Sequence, residues 1–463
     1  MSAEERAAAE AFGRSPDLLE RICEDYGRCG LIGEEGNRLL CYLAAVSRRL
    51  EHPLSVLILS SSGAGKSALQ NVTLGFCPPE DVVRLTSLTG RALFYQDPTS
   101  LRHRVLALAE TAGGEDAAYA IRSLISEGEL VVSTTVRDRS SSRLTTVENR
   151  VEGPTAVFCT TTNPEIDPET RSRFFVIGVD ESEEQTARVL ARQRRRESAP
   201  DALREEDVAA VRRLHQTFQR LLRPVRVVNP FAPRLTYGAG RLQSRREQPR
   251  YLALINAVAF LRQMSRTART VCIDGADVDY IEVELDDIAV ANQVAAAALG
   301  HSIDELSGPA RNLLAVLGKL VMERLVQAGL GEDAYGAVIF TRREIREFSG
   351  WSHYRVHTHL NELLELQYVL VDIRGPAGPH RYRLAASPFG EMAPMQSLGL
   401  KPVERLREEM ASAEGGPEVG SVRVRLGSVI DGANHSSEGA NDGADGHSVD
   451  SEGGGRCAKT PMS

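Results

Sequence analysis

The chain has 463 residues, of which 42% are hydrophobic and 25% charged, and its formal net charge is -8. This composition indicates about two to four packed domains and excludes a polycation that binds nucleic acid with its whole surface. The seven cysteines are scattered without a C-x-x-C pair, which argues against a zinc finger or a disulfide framework. The N-terminus lacks a signal-peptide core, and no apolar run approaches the roughly 20 residues of a membrane span, so we expect a cytoplasmic protein without membrane contact.

The pattern of apolar residues changes several times along the chain. Residues 1–50 show helical spacing in LLERICEDY and NRLLCYLAAVSRRL, which predicts an N-terminal helical segment. In residues 51–182 short apolar strands alternate with helices, which predicts an α/β domain with a three-layer parallel sheet. Residues 183–305 return to helix and are predicted to form a helical lid. Residues 306–390 change again, and the Gly-, Ser- and Asp-rich residues 391–463 are predicted to be a disordered tail.

The stretch SSSGAGKS at 60–67 follows the strand VLIL and precedes a helix, as a phosphate-binding loop does. Backbone N–H groups of such a loop point at a β-phosphate, the lysine supplies a positive charge, and the following serine binds magnesium. The alternative is a glycine-rich turn without a ligand. Ser60 stands where the usual pattern has its first glycine, and a small residue fits there if φ stays negative. The predicted nucleotide-binding residues are Ser60, Gly63, Ala64, Gly65, Lys66, Ser67 and Ala68, with Ser67 as the magnesium ligand.

Hydrolysis requires carboxylate and polar groups at the ends of neighbouring strands. The strand VLALAE ends at Glu110, which is the candidate for orienting the attacking water, but Ala109 occupies the position where an Asp commonly holds the magnesium shell. Slow or conditional ATP hydrolysis would follow from that replacement. A third strand, AVFCTTTN, ends at Thr162 and Asn163, where a side chain could hold the water or simply cap the strand.

Two arginine-bearing segments are candidates for contacts with the γ-phosphate. In RSRFF, Arg173 could stabilise the transition state from across a subunit interface, or it could be an exposed arginine at a helix end. In RLQSRREQPRYLALINAV, we select Arg250 over Arg245 and Arg246, because it adjoins the apolar helix that packs on the lid core.

A β-hairpin with a basic turn is predicted between the second and third of these strands. LVVSTTV and LTTVENRV alternate as two antiparallel strands. The turn between them carries Arg137, Arg139 and Arg143, which suit contacts with a DNA backbone, although a solvated basic loop would have the same composition.

Residues 310–385 have the pattern of a winged helix-turn-helix. RNLLAVLGKLVMERLVQAG, TRREIREFSG and WSHYRVHTHLNELLELQ are three helices, and YVLVDI and RYRLA are two strands around a Gly-Pro loop. Such a module binds DNA through its third helix and its wing, or it docks on proteins. The predicted DNA-binding residues are His353, Arg355, His357, Arg374 and Arg381.

The order of these parts, from the phosphate loop through the carboxylate strand, the hairpin and the S-R-F segment to the arginine-bearing helices, resembles AAA+ ATPases. The helix and hairpin at 117–154 are similar to the MCM-like branch of that group. Residues 12–385 more closely resemble the ATPase and winged-helix half of DNA primase/helicase-like proteins of bacterial chromosomes and mobile elements. In those proteins a CHC2 zinc finger and a Toprim domain often come first, and since neither is found ahead of residue 12, we do not expect primer synthesis by this chain.

The resemblance implies an ATPase, with ATP and Mg²⁺ as cofactors, that translocates on or remodels DNA in the replication of a mobile element. The implied partners are single- or double-stranded DNA, further copies of the chain in an oligomer such as a hexameric ring, and a separate primase. The alternative is a nucleotide-gated DNA-binding or loader module that changes conformation with little turnover.

Overall fold

A computed structural model gives the structure of the protein. It describes residues 1–86, 91–109, 114–137, 144–163, 166–197, 205–237, 244–300, 308–365, 368–372, 380–385 and 399–414. The first three helices are α1 (Ala3–Gly13), α2 (Leu18–Arg28) and α3 (Glu35–Val46). The helix α1 begins with a capping box, in which the Ser2 hydroxyl accepts from Glu5 N and the Glu5 carboxylate accepts from Ser2 N.

A five-stranded parallel sheet forms the centre of the next part of the chain. Its strands are β1 (Val56–Leu59), β2 (Val82–Leu85), β3 (Arg104–Leu108), β6 (Thr155–Thr161) and β7 (Phe175–Ile177). Their order across the sheet is β2-β3-β6-β1-β7, so β1 lies between β6 and β7. Near-continuous apolar sequence makes β1, β3, β6 and β7 buried, as expected for a parallel sheet covered on both faces. The predicted α/β fold with a parallel sheet is confirmed.

Helices and a hairpin complete this domain. The helices that connect the strands are α4 (Lys66–Phe76), α5 (Gly114–Glu127) and α6 (Pro168–Arg171). After α5, the strands β4 (Glu129–Arg137) and β5 (Leu144–Glu152) pair in antiparallel orientation from Glu129 opposite Glu152 to Arg137 opposite Leu144. Leu130 and Val151 at the base are buried against the domain. The two paired strands of the predicted hairpin are confirmed, and its turn at 138–143 lies outside the described residues.

The lid contains strands that the sequence analysis did not predict. Its helices are α7 (Glu183–Arg196), α8 (Glu205–Leu221), α9 (Ser244–Leu261) and α10 (Leu285–Gly300). A small sheet of order β8-β10-β9 is formed by β8 (Arg226–Val228), β9 (Arg269–Ile273) and β10 (Ala276–Glu282). The turn from β9 to β10 has φ of 51° at Asp274 and 80° at Gly275, which Asp-Gly adopts readily. The expectation of helix throughout this region is therefore wrong at these strands.

One hydrophobic core joins the N-terminal helices, one face of the central sheet and the lid. It includes Phe12 of α1, Tyr42 of α3, Phe158 of β6 and Phe260 of α9, all nearly inaccessible. The three segments that the sequence analysis separated thus bury their apolar surfaces against one another. The other face of the sheet packs with α5 and the hairpin base in a second core.

The described residues between 308 and 385 form a winged helix with its own core. Its helices are α11 (Gly308–Ala328), α12 (Arg342–Ser349) and α13 (His353–Glu365), and its strands are β11 (Phe340–Thr341), β12 (Val369–Asp372) and β13 (Arg381–Leu384). The sheet order is β11-β13-β12. Thr341 caps α12, and Gly350, with φ of 70°, ends that helix so that α13 can begin three residues later. The helices and strands of the predicted winged helix-turn-helix are confirmed, and the loop of the wing at 373–379 lies outside the described residues.

The chain returns to the lid after the winged helix. Leu400 and two residues of α14 (Val403–Glu414), Val403 and Leu406, are buried in the core that contains the lid. Asn292 Nδ2 donates to Lys401 O at 3.2 Å. The expected disordered tail is therefore wrong at residues 399–414, where spaced apolar residues have a lid surface to cover. Within the described residues, no helix combines the length and apolar character that crossing a membrane requires.

Candidate nucleotide site

The phosphate loop adopts positive φ angles at two of its glycines. It leaves β1 at Ser60 and enters α4 at Lys66, and φ is 83° at Gly63 and 110° at Gly65. Residues with a side chain rarely adopt such values, so these two positions favour glycine. Ser60 is not among the described non-glycine residues with positive φ. The condition under which serine was expected to replace the first glycine is thus met.

The side chain of Ser60 has a structural partner. Its Oγ accepts a hydrogen bond from Val179 N at 2.8 Å, and its own N–H lies 3.4 Å from Thr161 O. These bonds hold the end of β1 between the ends of β7 and β6. Serine therefore supplies an acceptor that glycine would lack.

Lys66 is held inside the loop. Its side chain is largely buried, and Nζ donates to Ser60 O at 2.7 Å and to Ser61 O at 2.5 Å. An ammonium group has three N–H donors, and these bonds occupy two. At the N-terminus of α4, where the helix dipole is positive, this arrangement suits an anionic phosphate.

The groups available for a magnesium ion are few. Ser67 is exposed in the first turn of α4, beside Lys66, so its hydroxyl fits one position in the magnesium shell of a bound nucleotide. No cluster of three His, Cys, Asp or Glu residues in the described part of the chain is arranged to hold a metal. Ala109 provides no carboxylate, and Glu110 lies outside the described residues. Magnesium in nucleotide sites commonly takes phosphate oxygens and several waters as its other ligands.

The ends of β3 and β6 lie beside the loop. Leu59 of β1 is opposite Thr161 of β6, and Thr160 Oγ1 donates to Ala109 O. Asn163 follows two residues later, and its N–H donates to Thr161 Oγ1 at 3.1 Å. The structure therefore brings the β6 end to the loop, as predicted from the positions of these strands in the sequence.

Arg250 is not at the phosphate loop, contrary to its predicted role. Its Nη1 donates to Phe174 O, and its guanidinium lies 5.5 Å from the ring centre of Phe175. Phe175 pairs with Val56, the first residue of β1, whereas the loop follows the last residue of that strand. Burial lowers the pKa of Arg250, and the carbonyl and the ring compensate in part for its lost hydration. The side chain thus lies beside the start of β1, at the opposite end of that strand from the loop.

Arg173 also lies away from the loop of its own chain. It precedes β7, is 17% exposed, and donates to Ser126 Oγ at 2.6 Å and to Glu169 O at 2.6 Å. A contact with the phosphates of the same subunit is excluded by this position. Its expected action across an interface stays a prediction, and it would require these bonds to open.

Two side chains at this site were missed by the sequence analysis. Glu181 accepts from Ser61 N at 2.6 Å and from Ser61 Oγ at 2.9 Å. Gln70 is buried in α4 and lies 3.4 Å from Leu108 O and 3.3 Å from Phe158 O, which ties the helix to β3 and β6. Glu181 follows an apolar strand at the same edge of the sheet as the loop, and that position was a usable signal.

The segment that joins β7 to α7 also contacts the N-terminal helices. Glu34, at the N-cap of α3, has φ of 64°, and its carboxylate accepts from Asp180 N at 2.8 Å. Asn37 Nδ2 donates to Gly178 O at 2.8 Å and to the Glu34 carboxylate at 2.6 Å. A strained backbone at Glu34 is thus held by bonds to the segment that also contacts the phosphate loop.

The predicted DNA-binding residues lie on two separate elements. Arg137 is the last residue of β4, and Arg139 and Arg143 lie outside the described residues. In the winged helix, His353 and Arg355 are exposed in the first turn of α13, and His357 is half-buried.

The first turn of α13 also carries an aromatic residue that the sequence analysis did not select. Tyr354 is 80% exposed beside Arg355, whose guanidinium stacks 3.7 Å from the ring centre of Trp351. Arg381 and Arg383 of β13 are exposed, and Arg374 lies outside the described residues. The exposed residues of the winged helix therefore include several cations and an aromatic ring.

The chain is similar to one family of P-loop domains and, distantly, to solved structures of two further proteins. Residues 3–222 match the family described as the MTBMA_p00010 P-loop domain. No curated protein matches the sequence. The crystal structure of a full-length MCM homolog from Methanopyrus kandleri is 14% identical, with 65% of this chain and 62% of that chain covered and a TM-score of 0.39. The structure of the Aeropyrum pernix ORC1 protein in complex with DNA is 15% identical, with coverages of 86% and 98% and a TM-score of 0.24. This chain therefore spans less than two thirds of the MCM homolog.

Proposed function

We propose that this protein binds ATP at the loop 60–67 and uses ATP binding and hydrolysis to translocate on or remodel DNA. The observation that carries the proposal is the position of Lys66, buried at the start of α4 and oriented by two loop carbonyls. A lysine held in a glycine-rich loop at a helix N-terminus is well placed to bind the β- and γ-phosphates of a nucleotide. Within this proposal, backbone N–H groups from Gly63 to Ser67 bind the phosphates, and the Ser67 hydroxyl holds the metal.

The chemistry of hydrolysis falls to the ends of β3 and β6. Magnesium, when bound, neutralises phosphate charge. Glu110 orients the attacking water, and Glu110→Gln should then retain ATP while turnover is lost. If turnover of that variant stays near the wild-type rate, Asn163, which follows β6 beside the loop, becomes the residue to replace.

The proposed DNA contacts divide between the hairpin and the winged helix. The hairpin grips the phosphate backbone in a nucleotide-dependent way, while α13 and the wing dock on duplex DNA. Replacing the three hairpin arginines should abolish stimulation of the ATPase by DNA and weaken its salt dependence. The residues to replace together are Arg137, Arg139 and Arg143.

The proposed assembly is a homo-oligomer, such as a hexameric ring, in which Arg173 acts on the nucleotide of a neighbouring subunit. Arg173→Ala should bind ATP and not hydrolyse it. Mixing it with Lys66→Ala should restore turnover, because one interface then pairs an intact loop with an intact arginine. If the mixture does not regain turnover and the protein is monomeric at the working concentration, the proposed ring is refuted.

The finer proposal is that the protein serves DNA replication of a mobile element as the helicase-like partner of a separate primase. It rests on the resemblance to DNA primase/helicase-like proteins in the order of phosphate loop, hairpin and winged helix. No contact within this chain is used to support it. Co-purification of a primase encoded near this protein with the tagged full chain would test it.

A second function is favoured by Ala109. Without a carboxylate at that position, the protein could bind ATP as a conformational signal and act as a nucleotide-gated DNA-binding or loader module. ATP hydrolysis by the purified full chain, measured with and without single- and double-stranded DNA, separates the two functions. DNA-stimulated turnover that Lys66→Ala abolishes supports the ATPase, whereas ATP-dependent DNA binding without turnover supports the switch.

A further inference from the structure

The first two residues of the phosphate loop are bonded to the segment that leads into the lid helix α7. Val179 N donates to Ser60 Oγ at 2.8 Å, and Glu181 accepts from the N–H and the hydroxyl of Ser61 at 2.6 and 2.9 Å. Glu181 stands between the end of β7 at Ile177 and the start of α7 at Glu183. The loop therefore contacts the segment that connects the sheet to α7, and this segment must move when α7 is displaced.

A single peptide group lies between Glu181 and Lys66. The N–H of Ser61 and the C=O of Ser60 belong to the same trans peptide, so they point in opposite directions and rotate together. Glu181 binds the N–H, and Lys66 Nζ binds the C=O at 2.7 Å. Fixing one end of this peptide fixes the direction of the other, and with it the position of the ammonium group.

We propose that Glu181 is a positioning residue for nucleotide binding, which orients Lys66 through the Ser60–Ser61 peptide and ties the phosphate loop to the lid helix α7. The inference rests on the proposed binding of ATP at this loop. Hydrogen bonds from Ser61 lower the pKa of Glu181, so its carboxylate stays charged at neutral pH. Because that charge repels phosphate, Glu181 acts on the nucleotide through Ser61 and Lys66 and not as a ligand.

Two substitutions separate position from charge. In Glu181→Gln the amide oxygen still accepts from Ser61 N, and the amide NH₂ can donate to the Ser61 hydroxyl oxygen, so the geometry is kept without the charge. In Glu181→Ala both bonds are lost. Glu183→Ala is the matched control, because it removes an exposed carboxylate two residues later, in the first turn of α7.

The test measures ATP affinity and hydrogen exchange in the full chain. Glu181→Ala should raise the Kd for ATP about three- to tenfold, the range for loss of one ordinary hydrogen bond, because Glu181 is exposed and acts on the nucleotide only through Ser61 and Lys66. The Gln and Glu183→Ala variants should stay within about twofold. ATP should slow amide exchange in both 60–76 and 183–197 of the wild type. In Glu181→Ala, only the loop segment should retain that protection.

The outcomes are distinguishable. If the wild type binds ATP and Glu181→Ala binds it equally well with protection of both segments, the inference is overturned and the proposed function stands. If Glu181→Gln weakens ATP binding as much as Glu181→Ala does, or if both variants bind ATP more tightly, the charge of Glu181 and not its hydrogen-bond geometry controls the affinity. The inference then fails. No ATP binding by the wild type would overturn the proposed function together with this inference.

Discussion

Replacing Ser60 by glycine would give the loop the residue that its usual pattern carries, yet we expect the protein to lose stability. The Ser60 hydroxyl accepts from Val179 N at 2.8 Å, and Val179 is buried. Loss of one such bond costs about 1 kcal/mol. Glycine at a position without positive φ adds about 0.5–1 kcal/mol of backbone entropy. The total, about 1.5–2 kcal/mol, lowers the ratio of folded to unfolded protein roughly 10- to 30-fold.

Urea unfolding followed by far-UV circular dichroism measures this loss. Ser60→Ala removes the bond without the entropy term, so it should lie between the wild type and Ser60→Gly, at about 1 kcal/mol. The single tryptophan, Trp351, packs against the separate core of the winged helix, so its emission gives a second probe that should not shift. ATP binding should survive in Ser60→Gly. A glycine variant as stable as the wild type would refute the role given to the hydroxyl.

Three further predictions concern the core and the winged helix. Burial lowers the pKa of His215, so the folded state excludes its proton and stability should fall as the pH drops below about 6.5. In urea unfolding, His215→Gln should flatten that fall, and the exposed control His52→Gln should not. Arg48 is fully buried, and its Nη2 lies 2.7 Å from Asp81 Oδ2. Replacing it by methionine should lower the free energy of unfolding by about 3 kcal/mol in the same assay. Arg355→Ala should weaken duplex DNA binding about tenfold in a titration, whereas the exposed control Arg343→Ala should change it little.

The parts predictable from the sequence are those encoded within a short stretch. Gly63 and Gly65 mark the loop because only glycine readily adopts their φ values. The hairpin and the winged helix follow from alternating and helical apolar patterns bounded by turns. In each case neighbouring residues determine the backbone, so the pattern is sufficient.

The parts that could not be predicted depend on contacts between distant segments. Glu181 reaches Ser61 across 120 residues of sequence, and Arg250 bonds to Phe174 across 76. An arginine beside an apolar helix can face a phosphate or a carbonyl, and only the position of Phe174 and Phe175 beside Arg250 decides between them. The Asp-Gly turn at 274–275 is different, because its signal was present in the sequence and was overlooked within a region that is mostly helical.

The central claim is that the loop 60–67 binds a nucleotide through Lys66. Calorimetric titration of the full chain with ATP and Mg²⁺, beside Lys66→Ala and the control Ser60→Ala, which changes the loop but keeps the lysine, tests it most directly. We predict saturable binding by the wild type, retained binding by Ser60→Ala, and affinity at least about tenfold weaker in Lys66→Ala, as expected when a buried charge-assisted contact is lost. Equal affinity of the wild type and Lys66→Ala, or no binding by the wild type, would contradict the account.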